Sequence, residues 1–149
     1  VHFWPGKYNE VSTILDEIAP LLKQEERVII LGDFNGCSPR DAAFLVANAS
    51  LRERDYTFVD RVEAKGFVDV VHKHDPAAKV SCPSPITIPR WSKDLAELKL
   101  KRYRIDFVFA DNVLAKDSRS GTISLSKEID NISDHYPVIV EFNISKVHK

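Results

Sequence analysis

The sequence predicts a mixed α/β domain in which helices cover the faces of a sheet. Three observations carry this reading: helix-spaced apolar residues over 8–24, a β-branched run at 27–31, and three further strand-like runs at 104–110, 122–125 and 137–144. Strands and helices alternating in this way bury each other's apolar faces in layers.

Each element follows from its residues. Val11, Ile14, Leu15, Ile18, Leu21 and Leu22 fall three and four apart, one face of a helix. Pro20 is expected to kink or shorten it. The run RVIIL at 27–31 is continuously apolar rather than alternating, which predicts a strand covered on both faces, with Gly32-Asp33 as the turn after it. Ser38-Pro39 reads as a helix start, with serine as N-cap and proline in the first turn, running to about Asn48. Residues 56–75 are expected to hold a short helix and a turn. Segment 76–91 carries Pro76, Pro83, Pro85 and Pro89, half of the chain's eight prolines, and reads as a long loop of the kind that is often functional. Residues 93–100 fit one or two helical turns.

Composition narrows the class. A chain of 149 residues is one ordinary domain with a single core, and 44% hydrophobic with 29% charged residues fits a globular protein. No apolar stretch approaches the roughly 18–20 residues that span a bilayer. Val1-His2-Phe3-Trp4-Pro5-Gly6 has no basic-then-apolar signal design, and the chain contains no methionine, so a fragment or processed product is expected. The net charge of −1 gives no overall attraction to nucleic acid. Cys37 and Cys82 are too few for a disulfide scaffold and lack zinc spacing; two unpaired thiols are expected, with a single bridge as the alternative. The compartment stays open.

Three short patterns sit at strand ends: Gly32-Asp33-Phe34-Asn35, Arg104-Ile105-Asp106 and Ser133-Asp134-His135. Strand ends hold side chains rigidly, and carboxylates, an amide and an imidazole suit a hard divalent cation beside an acid–base group. Asp33 and Asn35 lie two apart, so on extended backbone they point the same way; a polar turn is the plainer reading. Asp106 enters a strongly apolar strand and needs a partner, either Arg104 or Arg102 in a structural ion pair or a histidine that it orients. Asp134 and His135 are neighbours, so both reach one site only at a bend before the strand. Histidine titrates near neutrality and takes a proton from water at cellular pH.

Together, in this order, the patterns resemble the endonuclease/exonuclease/phosphatase superfamily, which includes deoxyribonuclease I, abasic-site endonucleases, neutral sphingomyelinases and inositol-polyphosphate 5-phosphatases. Ser133-Asp134-His135-Tyr136-Pro137-Val138 is the most specific piece. The resemblance implies an α/β fold, the C-terminal half of a four-layer sandwich with mixed, mostly antiparallel sheet and covering helices. It also implies a divalent-metal-dependent hydrolase of phosphate esters, a phosphodiesterase or nuclease using Mg²⁺ or Mn²⁺. Under it, Asp33 lies near the attacking water and Asn35 contacts the phosphoryl group, both in the metal region with Asp134. Asp106 orients His135, the acid–base group, and His2 matches the family's mid-chain histidine, which contacts the scissile phosphate. Whether His135 or Asp33 is the base is left open.

The main metal-binding glutamate of the family comes from its first half. Here Glu10, Glu17, Glu25 and Glu26 belong to the first predicted helix and its exit. The expectation is one domain over 1–149 lacking its N-terminal half, supplied upstream or by another chain. Nucleic acid, a lipid head group or a sugar phosphate are all open as substrate. Arg90, Lys93, Lys99, Lys101, Arg102 and Arg104, against Asp94 and Glu97 and with Trp91 and Tyr103 among them, would suit a phosphate backbone, but a solvated helix face is the favoured reading. The rival class is an incomplete, non-catalytic fragment acting as a binding module.

Overall fold

The apolar stripe near the N-terminus becomes α1 (Tyr8–Lys23), with Val11 and Leu15 buried. The structure is a computed structural model and describes residues 8–23, 27–48 and 56–143. Pro20 lies inside α1 without ending it. It is exposed, as is Asp16, the residue whose carbonyl loses its helical partner.

After α1 come β1 (Ile29–Asp33), a 3₁₀ turn at Pro39–Asp41 and α2 (Ala42–Ala47). Next are α3 (Thr57–Ala64), β2 (Phe67–Asp69) and α4 (Val70–His74). The proline-rich segment ends in a 3₁₀ turn at Pro85–Thr87 and α5 (Ile88–Trp91), followed by α6 (Leu95–Lys99). Then come β3 (Asp106–Asp111), α7 (Asn112–Asp117), β4 (Ser118–Ile123) and β5 (Val138–Phe142). The described strands form two sheets, ordered β1-β3-β2 and β4-β5, and every pair among them is antiparallel.

Several local rules operate as expected. Ser38 caps the 3₁₀ turn, its hydroxyl accepting from Arg40 N at 3.2 Å. Asp94 does the same for α6, accepting from Glu97 N at 2.8 Å. Cys37 and Cys82 are free and buried. Other expectations need correcting. Gly32-Asp33 closes β1 rather than forming the turn after it, with Gly32 at φ 143°, a conformation that suits a residue lacking Cβ. Among the described residues β1 is covered on one face: Ile30 is buried, whereas Ile29 and Leu31 are 40% and 55% exposed. The short helix and turn expected over 56–75 are in fact α3, β2 and α4. A three-residue strand and a five-residue helix are too short to print a period on the sequence.

Under the centre of the larger sheet lies an aromatic cluster. Phe34 and Phe58 stack at 5.1 Å between centroids, Phe107 and Phe109 at 5.4 Å, and the two pairs meet edge to face. Val11, Leu15, Ile30, Val59, Val62 and Phe67 complete this core between α1, α3 and the sheet. Such offset aromatic pairs add to simple area burial. The opposite face of β3 is covered in part by β5, where Val140 and Phe142 pack around Ala110.

β4 also presses on α4. A Cβ at Gly121 would stand 2.7 Å from the Val70 carbonyl oxygen, a backbone atom that cannot swing away. Gly121→Ala is therefore expected to cost about 1–3 kcal/mol through forced separation of the two elements. A lowered urea midpoint with an unchanged slope checks it.

Candidate active site

The antiparallel register of β1 and β3 sets Asp33 directly opposite Asp106. Two carboxylates facing each other across a ladder repel, so the pairing costs stability unless other groups engage them. Both are engaged. Asp33 Oδ1 accepts from Asn35 N at 2.7 Å and Oδ2 from Asn35 Nδ2 at 3.3 Å. Asp106 Oδ2 lies 2.8 Å from His135 Nδ1. Because a carboxylate only accepts, Nδ1 carries the proton, and in the neutral ring Nε2 keeps its lone pair.

Asn35 does not reach Asp33 through strand alternation, as the sequence had implied. Its φ of 49° turns the chain back, and the Asp33 carboxylate caps that turn. Phe34 makes the turn rigid, since its buried ring is clamped by Phe58, Phe107 and Phe109. Phe34 N also donates to Ile105 O at 2.9 Å, tying this turn to the start of β3. Asp134 and His135 do lie in a bend before β5. Of the partners open to Asp106, the structure selects the histidine. Arg104 pairs instead with Asp41 (2.9 Å) and Asp69 (2.8 Å), and Arg102 donates to the Tyr136 hydroxyl at 2.9 Å.

The electrostatics follow the geometry. The His135 pKa is raised above 6.5 chiefly by the hydrogen bond to Asp106, opposed by burial and assisted by the charges of Asp106, Asp33 and Asp134. Tyr136 is pushed up to about 12 by burial first and by its hydrogen bond to Asp130 second. Its hydroxyl donates to Asp130 Oδ1 at 2.6 Å, and the Arg102 guanidinium lies 5.5 Å from its ring centroid. Tyr136 thus anchors the residue after His135 as a neutral phenol.

Asp33, Asn35, Asp106 and His135 are brought together, with Asp134 close enough to act on the imidazole electrostatically. His2 lies outside the described residues. Among the described residues no three His, Cys, Asp or Glu side chains gather in a geometry that holds a metal ion. Mg²⁺ wants near-octahedral oxygen ligation, and both oxygens of Asp33 and Oδ2 of Asp106 are already turned toward Asn35 and His135. These residues alone do not make a complete cation site.

The basic run is less of a patch than its composition implied. Arg104 is buried in its ion pairs, Arg102 is spent on Tyr136, and Lys101 bonds Glu97 at 2.6 Å. What the sequence did not reveal is the scaffold behind the site: Ser81 and Ser84 in the proline-rich segment, and Asp41 and Asp69 around Arg104. The clustering of prolines was the one available signal, and it marked a region without naming a residue.

No protein-family model matches the chain, and no curated protein does. Solved structures do. The chain is similar to NExo, a 3′ phosphatase from Neisseria solved with product DNA hairpin, at 19% identity and TM-score 0.69, over 92% of this chain and 54% of that one. It is also similar to an AP endonuclease from Archaeoglobus fulgidus (18%, TM-score 0.68, 91% and 53%). A third is the catalytic domain of APE2 from Xenopus laevis (18%, TM-score 0.57, 89% and 41%). The chain spans about half the length of these structures, or less. Among the described residues no helix is long and apolar enough to cross a membrane. The chain has the deoxyribonuclease I-like α/β fold, over about half the length of these structures or less.

Proposed function

We propose that the chain forms the His–Asp part of a phosphate-ester hydrolase, acting on a phosphodiester by in-line attack of water. The observation that carries this is the 2.8 Å Asp106–His135 contact at the strand end where Asp33 stands opposite Asp106. Phosphate esters resist water because the nucleophile meets clustered negative charge, so positioning and charge neutralisation dominate catalysis. His135, with Nδ1–H held by Asp106, offers Nε2 to take the proton of the attacking water. The Asn35 amide lies beside Asp33 in position to donate to a phosphoryl oxygen. Asp33 is the weaker candidate for base, because both of its oxygens already accept from Asn35.

Nucleic acid is the substrate class we favour: the similar structures include an AP endonuclease and a phosphatase with DNA bound. A divalent cation, Mg²⁺ or Mn²⁺, belongs to the proposal with ligands from beyond the described residues; it would supply charge neutralisation at the phosphate. The exposed apolar side of β1 at Ile29 and Leu31, and the half-length coverage, support a second half packing on that face.

The test is hydrolysis of DNA and of an aryl phosphodiester by the full-length protein, with and without Mg²⁺, as a function of pH. A base must be neutral to act, so kcat/KM is expected to climb as pH rises through a pKa above 6.5. Asp106→Asn removes the main cause of that raised pKa, so the climb moves to lower pH. A profile that does not move would show that His135 is not the titrating group. No hydrolysis of any phosphodiester by the full-length protein would leave the binding-module reading in its place.

A further inference from the structure

Asp106 and His135 are far apart in sequence, one at the very end of a ladder and the other outside both sheets. Asp106 is the first residue of β3; His135 lies in a bend. Both are gripped from the same place. Ser81 is fully buried, and its Oγ accepts from Ile105 N at 3.0 Å and from Asp106 N at 3.1 Å. Its carbonyl accepts from Tyr136 N at 2.7 Å, one residue beyond His135. Its own N–H donates to Tyr103 O at 2.9 Å. Three residues on, Ser84 N donates to Asp134 O at 3.0 Å, and the Ser84 hydroxyl donates to Ser133 O. The carbonyl of Ile105 in turn receives Phe34 N, which extends the connection to the Asp33–Asn35 turn.

We propose that Ser81 is a positioning residue for the acid–base pair, setting the Asp106 carboxylate against His135 Nδ1 by holding both backbones at once. The inference rests on the Asp106–His135 reading above and extends it to a residue that touches neither reacting group. A hydroxyl oxygen has two acceptor lone pairs, and here both are used on adjacent N–H groups at the start of β3. Alanine leaves those two N–H groups without their acceptor in a buried setting. The backbone of Asp106 then shifts to find another, and an acid–base contact tolerates little displacement. Threonine keeps the acceptor.

The experiment reads the His135 ring directly, by ¹⁵N NMR of the full-length protein at a pH where the ring is neutral. Wild type is expected to show the Nδ1–H tautomer alone. Ser81→Ala is expected to show a mixture of tautomers while remaining folded, with kcat reduced roughly 10- to 100-fold and KM within about 2-fold. Ser81→Thr is expected to restore both. Wild-type ring signals in Ser81→Ala would overturn the proposal. If Ser81→Ala does not fold, Ser81→Cys, whose thiol is a weak acceptor, takes its place under the same criterion. Asp106→Ala separates the two levels. If it leaves the tautomer unchanged, the pair itself is misread. If it mixes the tautomers and the Ser81 variants do not, only the role of Ser81 falls.

Discussion

His135→Ala is expected to lower kcat on a phosphodiester by about 10²- to 10⁴-fold in the full-length protein, the range that a positioned acid–base group supplies. The fold should survive. The side chain is 29% exposed, stands in a bend outside both sheets, and makes its one described side-chain bond to Asp106. KM should change little, because the group acts on water rather than on the bound phosphate. The paired control is Asn35→Ala, which removes a donor beside Asp33 but leaves the imidazole in place; its loss should come with an unshifted pH profile. Full activity in His135→Ala would transfer the proton to another group, with Asp33 next in line. Circular dichroism and single-turnover rates on the same preparations separate a chemical loss from a folding one.

Arg104→Met is expected to destabilise the domain by about 3–5 kcal/mol, because it leaves buried carboxylates uncompensated. Arg104 and Asp41 are each 1% exposed, joined at 2.9 Å, and the other arm of the guanidinium meets Asp69 at 2.8 Å. Methionine fills similar space over the Phe107 ring, which the guanidinium covers at 4.4 Å, but provides no charge. Lys79 still reaches Asp41 at 2.7 Å, so Asp69 bears more of the loss. Asp69 also caps α4, accepting from His72 N at 3.1 Å, so its reorientation loosens that helix as well. A loss of that size is a large part of the stability of an ordinary domain. Urea unfolding measures it directly; a change below about 1 kcal/mol would mean that the cluster relaxes and admits water.

Periodicity and capping were enough for the longer elements. α1, β1, β3 and β5 lie within two residues of where their apolar residues place them, whereas β4 begins four residues before the run expected at 122–125. β2, α4 and α7 escaped. They are three to six residues long and are held by neighbours rather than by their own pattern. The covered-both-sides reading of β1 failed for a related reason: an apolar run reports what a strand can bury, not what stands over Leu31.

The candidate site divides along the same line. Residue types carry the proposed chemistry, because a carboxylate, an amide and an imidazole at strand ends keep their acid–base and hydrogen-bonding character wherever the chain carries them. Which of them meet is a matter of register and of buried donors. The Asp33–Asp106 pairing comes from one antiparallel ladder, the choice of His135 over Arg104 comes from Asp41 and Asp69 having claimed the guanidinium, and Ser81 joins them through backbone groups. Backbone donors and acceptors are the same in every residue, so a linear sequence does not show which ones a fold will leave to a serine.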